Sequence, residues 1–169
     1  IRNIWTTFSA DQVDLNYANY HLLIKVLDVL LFYVQKGAGL LRLDAIAFIW
    51  KELDTSCVHL PQTHELIQLM REVIHEVASE ILIITETNVP HNENISYFGD
   101  GEDEAQMVYN FALPPLLAFS ILKEDTTKLT TWAKTLTLPS NKVCFFNFTA
   151  SHDGVGVRAV SDILDNSEL

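Results

Sequence analysis

Gly39-Leu40-Leu41-Arg42-Leu43-Asp44-Ala45 is a short apolar run that closes on an Arg-x-Asp pair. Read as a strand, it delivers charge to its own end. Successive side chains alternate faces, so Arg42 and Asp44 point the same way, and a cation beside a carboxylate favours the ionised form. Taken alone, such a pair can be a helix cap and its counter-ion and nothing more. The pattern recurs, however. Residues 81–84 are a second apolar run that ends at Glu86, and residues 143–148 are a third that ends, after a Thr-Ala-Ser loop, at Asp153.

Outward from these runs the chain alternates strand and helix. Residues 5–8 read as an early strand and residues 12–16 as the loop leaving it. A helix begins at Asn19 or Tyr20, with Leu22, Leu23, Val26, Leu27, Leu30, Leu31 and Val34 on one stripe and Gly37 as its stop. Thr63 is the expected N-cap of a second helix, whose stripe runs through Leu66, Ile67, Leu69, Met70, Val73, Ile74 and Val77 to about Ser79. Residues 88–104 turn to Pro, Asn, His, Gly and Asp and predict a long loop, of the kind that often carries function. Residues 107–112 predict a strand, Pro114 and Pro115 open a helical region in two pieces to about Leu136, and residues 142–148 predict the last strand. Strands apolar on both faces and separated by helices belong to a parallel, helix-covered sheet, an α/β class in which successive strands become neighbours.

With 169 residues, 49% of them hydrophobic, the chain can bury a sizeable core as one domain. Its 11 Lys and Arg against 22 Asp and Glu, a formal net charge of −11, argue against nucleic acid or an anionic membrane as partner. Two cysteines, Cys57 and Cys144, are too few for a disulfide scaffold and predict free thiols in a reducing, cytoplasmic setting. No apolar run reaches the length of a membrane span. The opening Ile-Arg-Asn and the ending just past Asp153 predict a piece of something longer.

In parallel α/β architectures chemistry gathers at the carboxyl ends of strands, where Asp44, Glu86 and Asp153 all fall. Two chemistries fit three such acids. One is glycoside transfer, with an ionised acid attacking the anomeric carbon and a protonated one serving the leaving oxygen. The other is a Mg²⁺ site built on the same carboxylates. Elsewhere the acidic run at residues 100–104 lacks the alternating ligands of a calcium loop and predicts a solvated turn. His59, His64, His75 and His91 share no metal-ligand spacing, and of these His91, in the long loop, is the one placed to touch an acceptor or phosphate.

These residues resemble the α-amylase family of retaining glycoside hydrolases and transglycosylases. Arg42-Leu43-Asp44-Ala45 is similar to its nucleophile strand, Thr85-Glu86-Thr87-Asn88 to its acid/base strand and Ser151-His152-Asp153 to its transition-state-stabiliser segment. Gln12-Val13-Asp14-Leu15-Asn16 is similar to the motif that follows the family's inserted small domain. The resemblance implies a partial (β/α)8 TIM barrel, roughly strands three to seven. Residues 1–169 would then be part of one catalytic barrel domain, without the N-terminal strands, inserted small domain and C-terminal part. Trp50-Lys51-Glu52, the run at residues 59–63 and residues 107–111 resemble the sucrose-phosphorylase-like branch, whose members move an α-glucosyl group onto inorganic phosphate.

Carried over, the resemblance implies Asp44 as nucleophile, Glu86 as general acid then base, Asp153 with His152 as the pair gripping sugar hydroxyls, and Arg42 as the orienting cation. It implies no metal and no cofactor, a small carbohydrate donor and phosphate. Phe48 and Asn88 stand where sucrose phosphorylases tend to have Tyr and His, and the run at residues 85–91 is more similar to the glucosylglycerate phosphorylases of the branch. A hydrolase or transglucosidase of the same family shares these acids. A non-catalytic interaction module would usually have lost one of them. Asp54 stands where the branch has Gly. The family's first motif has no match here, so the segment alone is expected to be inactive.

Overall fold

The computed structural model describes residues 3–165, 167 and 168. Four short strands, β1 (Leu40–Leu43), β2 (Leu82–Thr85), β3 (Met107–Tyr109) and β4 (Cys144–Phe146), form one sheet in the order β1-β2-β3-β4. Every pairing is parallel, with Leu41 opposite Ile83, Ile84 opposite Met107 and Val108 opposite Phe145. Parallel neighbours cannot be joined by a hairpin, so each connection crosses over on a helix. Strands adjacent in sequence are adjacent in space throughout, as in the wall of a β/α barrel and unlike a doubly wound sheet, whose order reverses.

α1 (Tyr20–Gln35) opens on Asn19, whose side-chain oxygen accepts from the His21 N–H, and closes before Gly37, where φ is +86°. The seven apolar residues of its expected stripe are the ones turned toward the protein, Leu30 the most buried of them, while Ile24, Val29, Phe32 and Tyr33 are exposed. α2 (Pro61–Val77) begins earlier than the expected cap. Pro61 takes the first turn, where its missing N–H costs nothing, and Thr63 lies inside the helix, fully buried. Leu66, Ile67, Met70 and Ile74 carry the buried stripe, and Leu69 and Val77 remain exposed.

Three further expectations are corrected. Residues 88–104 are not a plain loop: α3 (His91–Asn94) and a 3-10 turn (Ile95–Phe98) follow β2, and they bury Asn94, Tyr97 and Phe98 in the crossover to β3. The polar composition hid these few anchors, which are too sparse to make a period. Residues 5–8 form no strand, so the described residues hold four strands where five were expected. That segment finds no ladder partner and is held instead by the Asp14 N–H donating to the Trp5 carbonyl (2.9 Å) and by Lys51 on Asp14 (3.1 Å). Nor is β1 apolar on both faces. Leu41 and Leu43 are buried, and Leu40 and Arg42 face the other way, more exposed.

α4 (Leu113–Lys123), with Pro114 and Pro115 in its first turn, and α5 (Thr127–Thr135) make the crossover from β3 to β4 in two pieces. Their buried Leu116 and Trp132 pack with Phe111, Ala159, Val160 and Leu164. A larger cluster, with Ile67, Met70, Ile83, Tyr97 and Val108, lies between the sheet, α1 and α2. Both cysteines are free thiols. No helix among the described residues is long and apolar enough to cross a membrane.

Candidate active site

Asp44 is the first residue past β1, and Ala45 behind it takes a left-handed conformation (φ +49°) that turns the chain into a 3-10 segment, Ile46–Phe48. The strand thus stops at Asp44, and 68% of its side chain is exposed. Glu86 is the first residue past β2. Its N–H donates to the Leu43 carbonyl (3.0 Å), which extends the ladder by one bond and brings the two acids to the same rim. Unlike Asp44, its side chain is only 13% exposed.

Arg42 ties the pair together. Its Nη1 lies 2.5 Å from Asp44 Oδ1 and its Nη2 lies 3.8 Å from Glu86 Oε2. The same Glu86 oxygen accepts a hydrogen bond from the Ala45 N–H (3.0 Å). Burial pushes the Glu86 carboxyl above the ordinary carboxylate range, and the negative charges of Asp44 and Asp153 add to that, against the opposing pull of the Ala45 N–H and Arg42. Arg42 is held even more firmly protonated than usual: burial works against its charge, but Asp44, Glu86 and Tyr109 outweigh it.

Asp153 lies beyond β4, in a turn where its N–H donates to Ser151 Oγ (3.3 Å). All three acids line one cavity of about 450 Å³, together with Asn88, Phe111 and Phe8. Sequence reasoning named Asp44, Glu86, Asp153 and Asn88. It missed Phe8 and Phe111, which as isolated aromatics carry no signal of their own. Gln12 also reaches the cavity wall, and its only sequence signal was the motif it belongs to. Asn88 has a buried Oδ1 with no partner, and Gly156 packs so close to its amide that a Cβ there would strike it.

The other expected site residues stand elsewhere. His152 is at the surface, 76% exposed, with Nε2 3.1 Å from Asp153 Oδ2. Phe48 does not line the cavity and meets it only through an edge-to-face contact with Phe8 (5.4 Å). His91 is buried, its ring against Trp132 and Phe145, and it lines a separate cavity of about 420 Å³ with Lys128 and Asp162. Among the described residues no three His, Cys, Asp or Glu are grouped so as to hold a metal ion. Chemically, the cavity offers an exposed acid paired to a cation, a largely buried acid whose carboxyl is pushed up and a third acid lining the same space.

Residues 4–165 match the model of the alpha amylase catalytic domain. The chain is 56% identical over 166 residues to a glucosylglycerate phosphorylase of Allomeiothermus silvanus, covering 98% of this chain and 30% of that protein. It is 53% identical over 168 residues to a glucosylglycerate phosphorylase of Escherichia coli (99% and 30%). A trehalose synthase/amylase of Mycolicibacterium smegmatis is 30% identical over 162 residues (94% and 27%). The chain therefore spans about 30% of the length of the phosphorylases it matches. Among solved structures, the sucrose 6F-phosphate phosphorylase from Thermoanaerobacter thermosaccharolyticum superposes with a TM-score of 0.81 at 20% identity, over 97% of this chain and 32% of that one, a likeness of fold. The four parallel strands and their helices are a stretch of a (β/α)8 barrel.

Proposed function

The chain belongs to the alpha-amylase catalytic-domain family, and from that premise we propose that it carries the catalytic acids of a retaining glycoside phosphorylase. The complete protein moves an α-glucosyl group from a glucosylglycerate-like or sucrose-like donor to inorganic phosphate and releases α-glucose 1-phosphate. Residues 1–169 are part of its one catalytic barrel domain.

Asp44 attacks the anomeric carbon while protonated Glu86 gives its proton to the departing oxygen, through an oxocarbenium-like state that Asp153 and His152 steady. Arg42, in contact with Asp44, aims it. Forming the glucosyl ester removes the charge of Asp44, which lowers the proton affinity of Glu86 and readies it as base for the next nucleophile. Phosphate then attacks from the face the leaving group vacated, and two inversions give net retention.

The observation that supports these roles is the contrast within one cavity. Asp44 is mostly exposed beside a cation, and Glu86 is buried with its carboxyl pushed up. An acid catalyst must hold its proton, which the burial of Glu86 favours, and a nucleophile must be open to substrate, as Asp44 is. The names of the relatives at 53–56% identity support glucosylglycerate as donor. Asn88, which lines the cavity, is the residue assigned to leaving-group contact. Phe48 shapes that side through Phe8. His91, in its separate cavity, acts on the site at most through the segment that follows Glu86.

Hydrolysis or transglucosylation by the same acids is the second reading, favoured by the exposure of Asp44 and by the trehalose synthase/amylase relative. One experiment separates them. The complete protein is incubated with 2-O-α-glucosylglycerate, sucrose and trehalose, with and without phosphate, and glucose 1-phosphate is assayed against free glucose. Phosphate-dependent glucose 1-phosphate from the first donor is expected; free glucose in excess phosphate would overturn phosphorolysis.

A further inference from the structure

The guanidinium of Arg42 has a third neighbour besides its two carboxylates. Its Cζ lies over the face of the Tyr109 ring, 5.6 Å from the centre, where a ring's negative face attracts a cation. Tyr109 ends β3, the strand next to the one that delivers Glu86. It is fixed on both its ring and its backbone. The ring packs against Phe111 (5.5 Å), Phe146 (4.8 Å) and Phe148 (5.3 Å). Its carbonyl accepts a hydrogen bond from Asn94 Nδ2 (2.7 Å), and Asn94 is 1% exposed within α3, eight residues beyond Glu86.

An arginine on a short strand has a long, flexible stem, and Arg42 has unequal claims on it: Asp44 at 2.5 Å and Glu86 at 3.8 Å. Left to Coulomb attraction alone, the guanidinium would settle on the nearer acid. We propose that Tyr109 is a positioning residue whose ring face holds the Arg42 guanidinium where one cation serves Asp44 and Glu86 together. The proposal rests on the catalytic roles given above. Loss of the ring lets Arg42 turn wholly to Asp44, and Glu86, relieved of the cation that lowers its proton affinity, titrates at still higher pH.

The test compares the complete wild-type protein with Tyr109→Leu, Tyr109→Phe and Phe148→Leu, using as aryl donor phenyl α-glucoside, whose weakly acidic leaving group still needs the Glu86 proton, in the presence of phosphate. Phe148 packs on the same aromatic cluster and controls for packing alone. Tyr109→Leu is expected to lose about ten- to a hundredfold in kcat with KM changed by less than about threefold, as for lost positioning in place of lost binding. Its pH limb governed by Glu86 moves upward. Tyr109→Phe, which keeps the ring face and removes only the hydroxyl that also reaches Arg42, retains most of kcat and the wild-type limb. Phe148→Leu lowers the melting temperature without moving the limb. Should Tyr109→Leu not fold, Tyr109→Met fills the same space and is read in its place. A wild-type pH limb and kcat in the ring-less variant, or an equal limb shift in Phe148→Leu, overturns the proposal. Failure of the phosphorylase reading looks different: the wild type itself would release glucose in place of glucose 1-phosphate, while the Tyr109 comparison on the aryl donor would still be read.

Discussion

The N–H of Ala45 donates to Glu86 Oε2 at 3.0 Å, so the residue directly behind Asp44 holds the acid on the neighbouring strand. The bond exists because Ala45 adopts a left-handed conformation, φ +49°. The two acids are therefore coupled through the backbone as well as through Arg42.

That coupling predicts the behaviour of Ala45 variants. Ala45→Gly keeps the donor and relaxes the left-handed turn, and it should hold activity with stability equal or raised by up to about 1 kcal/mol. Ala45→Val should lose about 1–2 kcal/mol, because a β-branched residue at positive φ is strained, and activity should fall with it. Thermal melts of the complete protein alongside turnover check both.

Asp44→Asn should leave the fold intact, with a stability change within about 0.5 kcal/mol as for an exposed position, and remove nearly all turnover. A slow donor with a good leaving group should label Asp44 in the wild type, read by peptide mass analysis. A label on Glu86 would reverse the assigned roles.

Glu86 predicts a pH dependence. Its folded-state carboxyl titrates above its unfolded value, chiefly through burial. A group shifted that way contributes stability that is fully present below the unfolded pKa and is lost as pH rises through the folded pKa. Glu86→Gln should therefore gain stability relative to wild type as pH rises across that window and hold a constant advantage above it. Turnover should fall steeply and regain most for donors whose leaving group needs no proton. Melting temperatures of both proteins between acid and mildly alkaline pH give the test.

Lys51 predicts a local effect. Its ammonium bridges Asp14 (3.1 Å) and Thr7 (2.5 Å) and ties the irregular segment that carries Phe8 and Gln12 to the loop after β1. Lys51→Met should expose residues 4–16 to proteolysis and faster hydrogen exchange while the amides of β1 to β4 keep their protection. Equal loss of protection in the sheet would show that the segment is part of the core and no separate wall.

Much of this was legible in the residues themselves. A helix of period 3.6 announces its inner face, and the stripe from Leu22 to Val34 is the inward one to the residue. Apolar runs ending in acids announced β1, β2 and β4 and hence the rim where Asp44, Glu86 and Asp153 meet, because a parallel sheet brings strand ends to one side. What the sequence could not decide lies between segments far apart in the chain. The order around residues 88–104 depends on Asn94, Tyr97 and Phe98 finding a core made by other elements. Residues 5–8 had strand-like composition but no neighbour to pair with, and pairing is a tertiary fact. The contrast between Asp44 and Glu86 is likewise one of burial, for both are acids at the end of a strand. Only the burial of the second, strong enough to outweigh the opposing Ala45 N–H and Arg42 from the neighbouring strand, pushes its carboxyl up.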